Sequence, residues 1–488
     1  MSTIDRRAFL QGAAAATGGV LVGGTLPSMV ASAAGASPPD RLRALQPVAD
    51  LRDGAVRLHL PPGFAYRSFH DTEAAVTLGD GTALPGRHDG MAAFPARHRN
   101  VWLVRNHEVN GPVGAFGPGT PYDGRTGGGT TTCLVTPTGE VLDSFTSLNG
   151  TQMNCSGGAM PWGSWITCEE TVNGPDVGAD FTGAPNVELE QRHGYIFEVP
   201  AGGQSDRQPI TSAGRFAHEA AAYSPTEGIV YLTEDNFGFP SGLYRYIPRR
   251  NPMRAGGLDN EGRLQMLAVD GQPNAHLEAH QASGATYPVR WVDIATPDVT
   301  FPSTPGQPAP TSNNDAISFV GNQGRALGAA YFSRLEGATY TRGQVHFTAT
   351  QGGGPAEAEL GPIADGFGNG SGQVWTYDVR RERLTCRFQS PGPDTLDFPD
   401  NMTARNERGT LVLCEDNVND NFVRGLTRHG ELFDIALNRL RSSTGADRSN
   451  DEFAGATFGA GGSTLFVNIQ ASRGMSFAIW GPWGRIGL

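Results

Sequence analysis

The sequence is poor in charge, in cysteine and in long apolar runs, and each shortage excludes a class of protein. Charged residues make up only 18% of the 488, while glycine reaches 67 and proline 34. That mixture suits short strands joined by many turns and suits helices badly. An excess of basic charge is also missing: the net charge is −12, which argues against nucleic acid as a partner. The acidic surplus is either a solvated surface or a store of hard oxygen ligands for Ca²⁺ or Fe³⁺. The five cysteines, Cys133, Cys155, Cys168, Cys386 and Cys414, match no zinc pattern of the C-x₂-C type. Their odd number leaves at least one thiol without a partner in the chain. Beyond the N-terminus no stretch is long and apolar enough to span a bilayer. No Gly-x-Ser-x-Gly elbow supports a serine hydrolase.

What is present begins with an address. Asp5-Arg6-Arg7-Ala8-Phe9-Leu10 reads as a twin-arginine export signal. A Gly/Ala-rich, weakly apolar stretch follows over 12–26, and Ala31-Ser32-Ala33 supplies small residues for a signal peptidase. Residues 1–34 are therefore expected to be a targeting segment, 35–47 a linker, and 48–488 a single domain. The expected location is the periplasm or the exterior, with the export machinery as a partner and no membrane span in the mature chain.

The mature chain repeats. Six segments, 101–108, 164–170, 229–236, 344–351, 410–417 and 463–470, are short apolar strands that end in polar or acidic residues. Their starts lie 63, 65, 115, 66 and 53 residues apart, and the long gap holds either an insertion or a further unit. Gly turns opening aromatic, alternating strands recur at His193-Gly-Tyr-Ile-Phe, Ser241-Gly-Leu-Tyr, Ser371-Gly-Gln-Val-Trp and His429-Gly-Glu-Leu-Phe. All-β repeats of this size point to a β-propeller, six-bladed, with loops and short helices in its insertions. A two-sheet sandwich gives no reason for the regular recurrence.

A second phrase precedes each apolar strand: Asp89-Gly-Met-Ala-Ala, Cys155-Ser-Gly-Gly-Ala, Glu219-Ala-Ala-Ala-Tyr, Glu336-Gly-Ala-Thr-Tyr, Asp400-Asn-Met-Thr-Ala and Ala454-Gly-Ala-Thr-Phe. Small residues suit the crowded innermost strand of a blade, and the leading side chains would converge on the axis. For any one of these acids, capping of a strand end or a solvated turn is the better account. As a set, carboxylates gathered in a channel cannot all stay ionised without a cation. Carboxylates suit Ca²⁺, Mg²⁺, Mn²⁺ and Fe³⁺, and one thiolate biases a subsite toward iron or another transition metal. A second acidic layer, Glu108, Glu169, Glu170, Glu234, Asp235, Glu415 and Asp416, follows the apolar strands. Arg334 stands two residues before Glu336, either as a bidentate phosphate contact or in a salt bridge to a neighbouring carboxylate. His107 and His218 are candidate proton carriers or structural turn residues.

On these residues the chain resembles the PhoX alkaline phosphatases. The resemblance lies in Asn154-Cys155-Ser-Gly-Gly-Ala-Met-Pro-Trp, Gly214-Arg-Phe-Ala-His-Glu219, Arg334-Leu-Glu336-Gly, Phe398-Pro-Asp400-Asn, Glu452-Phe-Ala-Gly-Ala-Thr-Phe and Ile479-Trp-Gly-Pro-Trp. It implies a twin-arginine-exported propeller with iron and calcium. Cys155, Glu219, Glu336 and Asp400 match the family's iron-side ligands. Glu169, Glu170 and some of Glu234, Asp235 and Glu415 would serve calcium, and Arg334 would contact phosphate. The implied reaction is hydrolysis of small phosphomonoesters by a monomer, with an oxide or hydroxide on the metals as nucleophile. Two alternatives are a calcium propeller hydrolase of lactones or phosphotriesters, which needs no thiolate, and a non-catalytic propeller whose ions only fix the blades.

Overall fold

The structure, a computed structural model, describes residues 43–250, 254–358, 360–405 and 409–488. The targeting segment expected at 1–34 lies outside the described residues. Among the described residues the abundance of glycine and the short period-2 runs are spent on 26 strands, nearly all of them in antiparallel meanders. Six strands, His88–Pro95, Asn154–Met160, His218–Ser224, Leu335–Thr341, Pro399–Ala404 and Glu452–Phe458, each open a meander and pack side by side in a closed ring around the axis. Each is followed outward by the apolar strand that the sequence repeat marked, such as Val101–His107 or Leu411–Glu415. The protein is therefore a six-bladed propeller.

Closure is made by chain ends. Ala65–Phe69, from the N-terminal side, pairs with Met475–Trp480 and forms the outer strand of the sixth blade. Gln46–Ala49 and Val56–Leu60 extend the fifth blade by pairing with Leu432–Asn438. The long gap in the repeat holds no further blade. It holds a strand, Thr286–Asp293, which pairs with Gly262–Val269 of blade three and with Arg383–Gln389 of blade four. That strand fuses the two blades into one nine-stranded sheet. The rest of the gap includes a 14-residue helix, Asn313–Ala326, whose N-cap Ser312 accepts a bond from Asp315 N.

Apolar faces of adjacent blades are buried against each other, as in the packing of Leu58, Val412, Cys414, Phe433, Phe453, Val467 and Phe477 between blades five and six. On the axis the packing leaves no room for side chains at certain points. A Cβ on Gly337 would lie 2.5 Å from Met402 N and 2.7 Å from Asp400 O, so backbone of neighbouring blades touches there. All five cysteines are buried and free.

Candidate metal centre

Every inner strand carries a β-bulge near its head. The pairing skips Asp89-Gly90, Cys155-Ser156, Glu219-Ala220, Glu336-Gly337 and Asp400-Asn401, and in blade six the residues just after Ala454. A bulge re-aims a side chain and leaves a backbone carbonyl outside the ladder. At four of the bulges a polar side chain from the second strand of the preceding blade takes up that carbonyl. Asn106 Nδ2 donates to Cys155 O at 2.9 Å, Thr233 Oγ1 to Glu336 O at 2.6 Å, Thr348 Oγ1 to Asp400 O at 2.7 Å, and Asn468 Nδ2 to Asp89 O at 2.6 Å. The recurring leading residue is thus fixed by its own bulge and by the neighbouring blade.

These side chains converge. Ligand atoms of Cys155, Glu170 and Glu219 lie within 4.8 Å of one another, as do those of Glu219, Glu336 and Asp400, and those of Asp400, Asp416 and Glu452. Glu219 and Asp400 are the shared corners of the three triads. Asp89 lies beside the cluster, where its Oδ2 accepts from Gln470 Nε2 at 2.8 Å. Burial drives the Glu219 carboxyl well above its ordinary range, and Glu336, Glu170 and Asp400 add repulsion. Burial followed by Glu108 and Asp400 does the same to Asp89, and burial followed by Glu219 and Glu170 pushes the Cys155 thiol up. Glu219 Oε2 is buried without a hydrogen-bond partner. An orphaned buried carboxylate oxygen among like charges fits a multivalent cation, and the Cys155 thiol adds a softer donor on one side of the carboxylates.

Glu169, Glu234 and Glu415, expected among the calcium residues, join no triad; each is bound within its own blade. Glu169 accepts from Gln152 N and Gly194 N, both at 2.9 Å, and from Tyr195 N at 3.2 Å. Glu234 Oε2 accepts from Gly242 N and Tyr244 Oη at 2.9 Å. Glu415 accepts from Asp397 N and Phe422 N, at 3.1 and 3.2 Å, and meets Arg424 Nε at 3.1 Å. The reason is strand alternation: of each terminal acid pair the first side chain caps the third strand of the blade, and the second, Glu170, Asp235 or Asp416, points the other way. Glu452 escaped the sequence reading. It stands two residues before Ala454, the same repeat position that Arg334 holds before Glu336, and extending the alignment by two residues would have found it.

Arg334 is buried, with φ at 38°, a left-handed conformation that also occurs at the equivalent Arg87, Met153 and Phe398. Its Nε and Nη2 meet Asp235 at 3.0 and 2.9 Å, and Nη2 also meets Glu336 Oε1 at 3.0 Å. The guanidinium lies 5.4 Å from the centre of the Phe237 ring. Arg334 is therefore salt-bridged, as one of its two readings had it, and through Glu336 it sits against the cluster. The two histidines are held as neutral rings by burial, each pulled down to about 3. His107 contacts Gly86 O and Thr131 Oγ1 at 2.8 Å, and His218 donates to Gly214 O at 2.9 Å, so both serve local structure. His193 differs: burial lowers its affinity for a proton, but Glu169 and Asp123 outweigh burial and lift it to about 9.

Above the cluster, a cavity of about 570 Å³ has Glu170 and Asp235 among its lining residues. A six-bladed propeller with a buried carboxylate–thiol cluster below such a cavity is the scaffold of a metal-dependent hydrolase. The sequence profile of the alkaline phosphatase PhoX family matches residues 121–472, and the chain belongs to that family; it is a phosphatase of phosphomonoesters. No curated protein matches the sequence. The solved structure of Pseudomonas fluorescens PhoX in complex with vanadate, a transition state analogue, shares the fold, with a TM-score of 0.62 at 15% identity, over 90% of this chain and 98% of that one. A catalytically inactive virginiamycin B lyase from Staphylococcus aureus gives 0.38 at 12% identity, over 86% and 99%. A gluconolactonase from Xanthomonas campestris gives 0.34 at 13%, over 90% and 99%. The family match favours neither the lactone and phosphotriester alternative nor the non-catalytic one.

Proposed function

We propose that phosphomonoesters are hydrolysed at the axial cluster, with iron held on the side of Cys155 and calcium on the all-oxygen side. The observation that carries this reading is the run of three triads sharing Glu219 and Asp400 beside Arg334. Cys155 as thiolate, with Glu170 and Glu219, would hold iron, and Glu336 completes the donors around the shared corner. Asp400, Asp416 and Glu452 offer oxygen alone, which suits calcium. Bound there, the ions would offset the carboxylate charge, draw charge from the phosphoryl oxygens and activate water. Arg334 would offer its guanidinium charge to a phosphoryl oxygen, and Asp235, which takes the Nε and Nη2 fork, holds the group in place before substrate arrives. Burial excludes bulk water from both groups.

Protein purified without chelator should contain iron and calcium and should hydrolyse p-nitrophenyl phosphate, with activity falling when Ca²⁺ is withdrawn. Cys155→Ala should lose iron and keep the propeller, read by metal analysis and circular dichroism. Full iron occupancy in that variant defeats the assignment.

The signal at Asp5-Arg6-Arg7 would carry the folded, loaded chain across the cytoplasmic membrane. Among the described residues no helix is long and apolar enough to cross a membrane. Replacing both Arg6 and Arg7 by Lys should leave the protein in the cytoplasm by fractionation. Undiminished export would exclude the twin-arginine route.

A further inference from the structure

The cavity over the cluster is larger than a phosphoryl group needs, and its walls have a chemistry of their own. Besides Glu170 and Asp235, it is lined by Met153, Phe181, Phe237, Phe239, Ile317 and Ile363. Phe181 is 45% exposed, so its ring is open to a bound molecule. Phe237, Phe239, Ile317 and Ile363 are half-buried, and Met153 is buried. Backbone bonds hold the walls in place: Ile363 N donates to Gly238 O at 2.8 Å, and Phe367 N to Phe237 O at 2.9 Å. The helix that brings Ile317 is tied down by Asn313 Nδ2, which donates to Asn173 Oδ1 at 3.1 Å.

The charge of the lining is one-sided. Glu170, Asp180 and Asp235 line the cavity, whereas none of its described lining residues is arginine or histidine. The whole chain contains no lysine. The nearby cation, Arg334, is committed to Asp235 and Glu336 beside the cluster. With Asp235 facing Arg334 and Glu170 among the metal donors, a leaving group with further negative charge would meet Asp180, which is bound by Asn110, Thr182 and Ala184 and pairs with no cation among the described residues. A polyol would find amides from Asn236, Asn313 and Asn314 and hydroxyls from Thr171 and Ser312, but would have to desolvate its own hydroxyls against phenyl and butyl walls.

We propose that this pocket receives the leaving group and selects phosphomonoesters whose alcohol is flat, apolar and uncharged, an aryl-type alcohol, over polyol phosphates and polyphosphates. The proposal rests on the phosphatase reading of the cluster beneath it. Phe181, from a turn, and Ile317, from the helix Asn313–Ala326, are its specificity residues.

The test uses the full metal-loaded enzyme with 1-naphthyl phosphate, glycerol 2-phosphate and inorganic pyrophosphate at fixed free Ca²⁺. The expected order in kcat/KM is naphthyl first by about tenfold or more over glycerol, with pyrophosphate last. Phe181→Ala and Ile317→Ala should each lower the naphthyl-to-glycerol ratio by roughly 3- to 10-fold through KM for the aryl ester, at unchanged metal content. Calorimetry with the unreactive naphthylphosphonate and methylphosphonate should show the same preference and the same loss. Active enzyme with a flat substrate order, or with a ratio that neither variant moves, overturns the pocket and leaves the phosphatase reading standing. Absence of turnover with every ester overturns the phosphatase reading. Calorimetry then decides the pocket: equal affinity for the two phosphonates overturns it, and a naphthyl preference upholds it.

Discussion

Glu219→Gln and Asp400→Asn should each cost more metal and more activity than any other single carboxylate change. Each residue is a corner of two triads, so one neutral replacement weakens two positions at once. Loss of a bound cation's share of transition-state stabilisation amounts to several kcal/mol, so kcat/KM should fall by at least about 1000-fold. Glu170→Gln, which touches one triad, should lose less. Glu415→Gln, outside the triads, should keep the metals and lose about 1–3 kcal/mol of stability through its cap on Phe422 N.

Stability gives the same prediction a sign that a merely structural glutamate would not. In the loaded protein, Glu219→Gln destabilises, because bound metal contributes to folding free energy. In chelator-stripped protein it should do the reverse as pH rises. The folded-state carboxyl of Glu219 lies well above 4.5, through burial and its acidic neighbours. Its contribution to stability is therefore full below pH 4.5 and is lost as pH climbs through the raised value. Glutamine does not titrate, so the stripped variant should lose less stability with rising pH than the stripped parent. Thermal melts with and without chelator across that range measure the crossing. Equal responses in both states would mean that Glu219 is not a metal corner.

The ring of leading residues was legible because a propeller repeats one local solution six times. Asp89, Cys155, Glu219, Glu336 and Asp400 share a bulge, and the small residues behind them share a backbone contact, so the pattern survives in sequence. What failed to show was register. In Glu169-Glu170, Glu234-Asp235 and Glu415-Asp416 the two acids face opposite ways, and only the strand pairing says which one meets the axis. Glu452 was hidden for a related reason: it shares a repeat position with Arg87 and Arg334, so that column mixes charge of both signs. The strand Thr286–Asp293 could not be placed from sequence, because one of its partners, Arg383–Gln389, follows only after a helix and most of another blade.

Arg334→Ala should lower kcat/KM by roughly 10- to 1000-fold, the range for a charged group that stabilises developing charge on a phosphoryl oxygen. Its contacts, not its backbone, set it apart. The left-handed conformation, at a φ of 38°, is shared with Arg87, Met153 and Phe398 at the same repeat position, so it belongs to the repeat. The equivalent Arg87 pairs with Glu108 and is more open to solvent, its side chain 20% exposed against 3% for Arg334. Arg334 instead shares its fork between Asp235 and Glu336, and Glu336 belongs to the central triad, so the guanidinium touches the cluster itself. Its removal has a structural cost as well, because Asp235 would be left buried without its cation. That cost appears in metal content and melting temperature, whereas lost transition-state stabilisation appears in activity per bound metal. Arg334→Lys restores the charge and not the fork, so it should recover stability nearly fully and activity only in part. Asp235→Asn should loosen the fork while leaving the cation, with a smaller loss of kcat. A double-mutant cycle between Asp235 and Arg334 then separates the two roles. If activity per bound metal is unchanged in Arg334→Ala, the arginine serves the fold alone and phosphate must be held by the metals and backbone.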